Sequence, residues 1–299
     1  MKVLIAGGSG LIGKKFIELL QREKIEINLL SRTIQKIKGV NSFLWNTDNG
    51  EIDLAAFHGI DAIVNFSGAG IADEKWTNER KKIILESRVR AVDLLKKGII
   101  ESGSKVGVFI GASATGFYGA VTSEEIVEES HPDGKDYLGS VCKKWENAYS
   151  EIENLGIRTC TVRIGIVLSK EGGAFPKMKM PVKLGMGSAL GSGKQWMPWI
   201  HIEDICGIFY HLLLRSEARG VFNAVSGHPV TNHSFMKQLA EVMNKPFFLP
   251  AVPTFLIKLL FGEMACIVLE GTRVSNKKTL EEGYMFAYPD LKSALENLI

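Results

Sequence analysis

The feature that most limits how this chain can fold is its first thirteen residues, MKVLIAGGSGLIG. A run as apolar as Val3-Leu4-Ile5-Ala6 leads directly into glycines at Gly7, Gly10 and Gly13. The run is too short for a secretory core and lacks a small-residue cleavage site. It reads as a buried strand, and Leu11, Ile12, Phe16, Leu19 and Leu20 then recur at helical spacing. A strand that turns into a helix through three glycines at this spacing is the phosphate-cradling turn of a dinucleotide-binding fold. Gly7 permits the tight turn, Gly10 has no side chain to hold a pyrophosphate away, and Gly13 lets helix and strand pack closely. The helix N-terminus then offers free N–H groups and a positive dipole end to the phosphates.

The end of the next strand, Leu29-Leu30-Ser31-Arg32, bears on the choice of cofactor. Selectivity for NAD usually needs an acidic residue here, to hold the ribose hydroxyls. A hydroxyl followed by a guanidinium suits a 2′-phosphate instead, so Ser31 and Arg32 point to NADP(H).

Further along, apolar runs alternate with helical patterns. Strands are expected at Ile25–Leu30, Ala62–Phe66 (after a loop), Gly107–Gly111 and Arg158–Val162, and helices over about 76–100 and 137–154. Strands apolar throughout, each followed by a helix, imply a parallel sheet covered on both faces. The expected fold is therefore a doubly wound α/β sheet of Rossmann type, with a smaller mixed C-terminal substrate region. The boundaries are an NADP-binding domain over 1–165, which later strands could complete, and a mixed region over 166–299. Residues 172–194, rich in Gly, Lys, Met and Pro, read as a long irregular segment. A helix from Glu203 to Arg215 and a strand at Val221–Asn223 follow.

Bulk properties exclude several classes. A net charge of +3 on 299 residues does not suggest nucleic acid. The stretch Phe247–Leu269 is apolar but broken by Pro250, Pro253, Lys258 and Glu263, so it cannot supply the ~18 uninterrupted apolar residues of a span. Neither nucleic acid nor membrane is expected as a partner. Cys142, Cys160, Cys206 and Cys266 show no metal or redox spacing, which suits free thiols in a reducing cytoplasm, and no metal is expected.

Several motifs together resemble the extended short-chain dehydrogenase/reductase superfamily, in its sugar-nucleotide epimerase-like branch. They are the glycine loop, NFSGAGIADEKWT, ESRVRAV, GASATGFYG, RIGIVLSKEGGAFPKM and GSGKQWMPWIHIEDI. The late stretch from Leu249 to Leu295 is similar to the atypical members that end in a short C-terminal domain of unknown function, here about 248–296. The resemblance runs over essentially the whole chain and implies an NADP(H)-binding protein of cytoplasm or organelle matrix. By this resemblance Gly7, Gly10, Leu11, Ile12 and Gly13 form the phosphate loop, and Ser31 and Arg32 the 2′-phosphate site. Phe66, Ser67 and Gly68 line the adenosine and ribose edge, Arg88 faces the cofactor, and Ser113 orients a substrate carbonyl or hydroxyl. His201 is expected to cap or brace the helix that follows it.

The superfamily's Tyr-x-x-x-Lys pair is the departure. It places both groups on one helical face, where the Lys lowers the Tyr pKa and the Tyr transfers the proton. In DYLGSVCKKWENAYSE, Val141 stands four residues after Tyr137; in a register set by Glu146, Leu138 and Cys142 occupy the pair. Tyr288 and Lys292 have the spacing but enclose Pro289 in the C-terminal tail. Ser113, Tyr118 and Tyr137 remain as candidate proton donors. Two classes of function are compatible with this pattern. One is an NADP-dependent oxidoreductase or epimerase with a non-standard relay, acting on an unidentified small molecule. The other is a regulator or scaffold that binds NADP(H) without catalysis. Homo-oligomerisation is compatible with both.

Overall fold

The computed structural model describes all residues from Met1 to Ile299. The chain opens with β1 (Lys2–Ala6), α1 (Leu11–Arg22), β2 (Glu26–Ser31), β3 (Val40–Asn46), β4 (Glu51–Ile52) and β5 (Ala62–Asn65). It continues with α2 (Asn78–Ser102), β6 (Val108–Ala114), β7 (Ile126–Val127), α3 (Tyr137–Glu153), β8 (Arg158–Ile164) and β9 (Ile166–Leu168). Next come α4 (Phe175–Lys183), β10 (Trp196–Met197), β11 (Trp199–His201), α5 (Ile202–Leu214), β12 (Gly220–Ala224) and β13 (Val230–Thr231). The last elements are α6 (Asn232–Val242), α7 (Thr254–Phe261), α8 (Cys266–Leu269), β14 (Arg273–Val274), α9 (Lys277–Glu281) and α10 (Leu291–Leu298).

Eight strands form the main sheet in the order β12-β8-β6-β5-β1-β2-β3-β4, parallel throughout except for the β3–β4 hairpin. The order reverses between β1 and β5, where Ala6 lies opposite Asn65. In such a sheet the crevice beyond the carboxyl ends at the reversal is where ligands bind. α1 and α5 cover one face, joined through Phe16, Phe66 and Phe209, whose ring centroids lie 4.6–6.1 Å apart. α2 and α3 cover the other, with the Arg88 guanidinium 4.8 Å from the Trp145 ring. Burial on both faces explains why β1, β2, β5 and β6 are nearly continuous apolar runs.

β12 shows that the sheet begun within 1–165 is completed by residues of the 166–299 region. Two expectations need correction. The loop before Ala62 contains β3 and β4. The segment 172–194 is not wholly irregular, because Phe175–Lys183 is a helix despite Pro181 inside it. Phe175 and Val182 bury against Phe235, Leu239 and Leu295, and this packing outweighs the lost hydrogen bond at the proline.

This second cluster, with α4, α6 and α10 around Trp199, stands beside the main core. Asp204 ties the two. Its carboxylate accepts from the Tyr284 hydroxyl (3.0 Å) and from the N–H groups of Ala287 (2.7 Å) and Tyr288 (3.0 Å), holding the segment 284–288 to the start of α5. His201 caps the same helix, its Nδ1 accepting from the Glu203 N–H at 3.2 Å, as its place in the sequence led us to expect.

Candidate functional site

The glycine loop sits at the strand reversal. Gly7 has φ +80°, and a Cβ there would lie 2.6 Å from the Phe66 carbonyl carbon, so only glycine allows this approach between the β1 and β5 ends. A Cβ on Gly13 would lie 2.5 Å from the Gly7 oxygen, which welds α1 to the turn. Gly10 differs. Its backbone is ordinary (φ −75°), and a Cβ would meet only the Gly7 oxygen, at 3.4 Å, with the crevice beyond. Gly10 caps α1 and no side chain bonds that terminus, so the first-turn N–H groups face the crevice unpaired. Leu11 packs against Gly172 and Gly173, bringing the segment after β9 over the loop, while Ile12 lies against α5.

Ser31 ends β2, half-buried, and the exposed Arg32 follows it without an ion pair. A free guanidinium beside an uncapped, glycine-lined helix terminus fits a dinucleotide bearing an extra phosphate.

Beyond β5 the chain makes a pinned turn. The Asn65 side-chain oxygen accepts from the N–H of Ser67 (3.0 Å) and from its hydroxyl. Phe66 turns its ring into the core, so only its backbone borders the loop. Gly68 is exposed and lies against Arg88. Arg88 does not reach out over the crevice. Its Nη1 donates to the carbonyls of Ala69 (3.0 Å) and Ile84 (2.7 Å), and burial lowers its pKa. It braces the turn from beneath, together with Ser87, whose hydroxyl accepts from the Ala69 N–H at 2.9 Å.

At the end of β6, Ser113 is only 2% exposed and donates to Glu146 Oε1 at 2.6 Å. Glu146, on α3, is gripped by Arg163 of β8 through Nε–Oε1 (2.9 Å) and Nη2–Oε2 (2.8 Å). Arg163 Nη1 donates to the Tyr118 hydroxyl at 3.0 Å, and that hydroxyl donates to Asn223 Oδ1 at 2.7 Å. Ser113 and Tyr118 are therefore joined, but through Glu146 and Arg163 rather than directly. Burial raises the Tyr118 pKa, partly offset by Arg163, so the phenol stays protonated. Tyr137 belongs to another cluster. Its hydroxyl donates to the Lys81 carbonyl at 3.1 Å, and its ring meets Trp76 edge-on at 4.8 Å. Val141 and Cys142 are buried, and desolvation with nearby Glu146 pushes the Cys142 thiol up to about 12. No cation stands where the superfamily's lysine would on this face of α3. Glu146, Arg163 and Asn223 escaped the sequence reading. The available signal was Arg163 itself, a charge inside the otherwise buried strand RTCTVRI that must have a partner.

A family model described as the NAD dependent epimerase/dehydratase family matches residues 3–224, and one described as a domain of unknown function (DUF1731) matches 252–298. The chain belongs to the NAD dependent epimerase/dehydratase family. Among curated members of this epimerase family, the mouse protein SDR39U1 is 32% identical, with all of both chains covered. YfhF of Bacillus subtilis is also 32% identical, covering 100% of this chain and 98% of its own. The crystal structure of human SDR39U1 (isoform 2) with NADPH superposes with a TM-score of 0.87 at 31% identity, covering 100% of this chain and 99% of that one. This epimerase-family fold therefore carries a large, mainly parallel Rossmann-like sheet, and no helix is long and apolar enough to cross a membrane.

Proposed function

We propose that this epimerase-family chain binds NADP(H) and acts as an oxidoreductase or epimerase on a small carbonyl or hydroxyl substrate through a relay without the usual lysine. The observation that carries the cofactor reading is Arg32, exposed and unpaired beside Ser31 and next to the uncapped helix terminus at Gly10. The human relative crystallised with NADPH supports it. Gly7, Gly10, Leu11, Ile12 and Gly13 supply the phosphate cradle, Ser31 and Arg32 the 2′-phosphate contacts, and the Asn65–Gly68 turn the ribose edge.

The cofactor, when bound, supplies or takes the hydride. Ser113 supplies the polar end of the substrate site. Its hydroxyl donates inward to Glu146, which leaves its lone pairs for a substrate hydroxyl and gives a proton a route toward the carboxylate. Arg163 holds that carboxylate in one orientation. Tyr118 and Tyr137 are the remaining donors.

A second reading, an NADP(H)-binding regulator or scaffold, is favoured by one observation. Ser113 and Tyr118 are both buried, and each hydroxyl is already bound within the protein. A single experiment separates the two: NADPH oxidation followed with a panel of aldehydes, ketones and sugar nucleotides, in the native protein and Ser113→Ala. Oxidation that disappears in the variant supports the enzyme. Tight NADPH binding with no turnover on any compound supports the regulator.

A further inference from the structure

α7 has the wrong side facing water. Of TFLIKLLF only Ile257 is buried, whereas Phe255 is 67%, Leu259 76% and Leu260 64% exposed. At 100° per residue, Phe255, Leu256, Leu259 and Leu260 fall within one arc of about 140°, and Lys258 lies about 60° outside it. A helix that served only to cover the core would turn this arc inward.

The exposed apolar surface extends beyond α7. The chain before it runs alongside residues 189–191, with the Val252 N–H donating to the Ala189 carbonyl at 2.8 Å and the Gly191 N–H to the Val252 carbonyl at 2.9 Å. This pairing sets Phe248 (75% exposed) and Leu249 next to the chain leaving α4, where Met180, Leu184 and Met186 are also exposed. Gly187 packs against Phe247 at the junction.

The charge of these two segments has one sign. Residues 172–202 and 242–262 contain no Asp or Glu, but carry Lys177, Lys179, Lys183, Lys194, Lys245 and Lys258. Outside them the chain is close to charge balance, since the whole has a net charge of +3. An apolar patch whose own two segments carry lysine and no carboxylate matches a surface that is apolar within and anionic at its boundary. A second copy of this chain fits poorly. A two-fold contact would set these segments against each other, lysine facing lysine, and Glu263, just past α7, is already paired with Lys81.

We propose that α7, with the α4 exit and Phe248–Leu249, is a docking face for an anionic lipid surface. α7 lies in the interface plane, its Phe and Leu side chains among the acyl chains and its lysines at the headgroups. The sequence excluded a membrane-spanning segment and led us to expect no membrane partner; an interfacial helix of eight residues needs no span. The face also adjoins the Tyr137 cluster, because Glu263, just past α7, pairs with Lys81, whose carbonyl accepts from Tyr137.

The test uses the full chain with two vesicle preparations, phosphatidylcholine alone and phosphatidylcholine with phosphatidylglycerol in equal parts. Co-sedimentation is expected with the anionic vesicles, at least tenfold weaker with the neutral ones, and reduced by salt. Tryptophan emission of Phe248→Trp is expected to shift to the blue only with anionic vesicles. Leu259→Asp with Leu260→Asp, or Lys177→Gln with Lys183→Gln and Lys258→Gln, should each lower anionic binding at least tenfold while leaving the thermal melting temperature unchanged. Three results overturn the proposal. The protein ignores both vesicle types; or it binds them equally and the lysine variants change nothing; or the native protein is dimeric and Leu259→Asp with Leu260→Asp makes it monomeric, which assigns the face to a second copy.

Discussion

Glu146 of α3 and Arg163 of β8 meet in a two-pronged ion pair that joins a helix to the sheet beneath it, with Arg163 only 3% exposed. The guanidinium carbon also lies 3.3 Å from the centroid of the Phe117 ring, which stacks on it. Removing one partner of a buried pair leaves the other charged and unsolvated, at a cost of about 3–5 kcal/mol. Glu146→Gln or Arg163→Met should therefore lower unfolding free energy by that order in urea titration. The double variant should recover part of the loss. If Glu146→Gln melts like the native protein, the pair is not the brace its geometry indicates.

The phosphate loop allows a contrast between two glycines. Gly10→Val places its branch in open crevice, so the fold should persist and NADPH binding should vanish. Gly13→Ala drives a methyl into the Gly7 carbonyl, so it should destabilise the protein itself. Calorimetric titration and thermal melting on both variants check this. Normal NADPH affinity in Gly10→Val would reduce the loop to a structural turn.

Cofactor preference should rest on Arg32. A charge-assisted hydrogen bond is worth about 1.5–3 kcal/mol, so NADPH should bind roughly ten- to a hundredfold more tightly than NADH. Arg32→Asp should erase or reverse that ratio. Equal affinity for both cofactors in the native protein sinks the assignment.

The parallel architecture was legible because its central strands are apolar on both faces and each leads into a helix. β3 escaped for the opposite reason. It is near the sheet edge, and in VNSFLWN only Trp45 is buried, so polar residues break the pattern. α4 escaped because Pro, Lys and Met mask a helix that exists only through tertiary burial of Phe175 and Val182. Within the proposed site, local glycine spacing marked the strand–helix turn from Gly7 to Gly13. The Ser113–Glu146–Arg163–Tyr118–Asn223 network did not show itself, because its members come from five separate elements that only the folded sheet brings together. Arg88 illustrates the same limit. Its spacing places it on the right helix, but whether it reaches over the crevice or braces the turn from below depends on Ala69 and Ile84.

His201 sets an acid limit on stability. It is fully buried, and desolvation lowers its pKa from 6.5 to about 4. The neutral ring caps α5 through Nδ1, and protonation would remove that acceptor. Between the two values the unfolded chain binds the proton and the native one does not, so stability falls as pH drops from about 6.5 to about 4 and is level on either side, as far as this group is concerned. At about 1.4 kcal/mol per pH unit the loss amounts to about 3 kcal/mol. Urea titrations across that window should show it, and His201→Asn, which keeps a capping oxygen, should flatten the slope. An unchanged slope in the variant would assign the acid sensitivity to other groups.

Catalysis is the sharpest test of the relay. With Val141 and Cys142 buried where the superfamily's lysine would stand, burial raises the pKa of both Tyr137 and Tyr118 above the ordinary value, even against the nearby Arg88, Arg80 and Arg163. Well-placed acid–base assistance is typically worth ~10²–10⁴ in rate, so turnover of common carbonyl or sugar-nucleotide substrates with NADPH should be slow. Any turnover found should depend on Ser113, whose hydroxyl is the group at the β6 end that can take a hydrogen bond from substrate while donating inward to Glu146. Ser113→Ala removes one hydrogen bond to a charged group, worth about 1.5–3 kcal/mol, so the variant should fold and bind NADPH while losing turnover. Tyr118→Phe should lose less, since its hydroxyl is shared between Arg163 and Asn223. Steady-state oxidation of NADPH in the three proteins, with melting curves to confirm folding, decides the matter. Fast turnover of an epimerase substrate, unaffected by Ser113→Ala, would mean that the proton travels by a route outside this network.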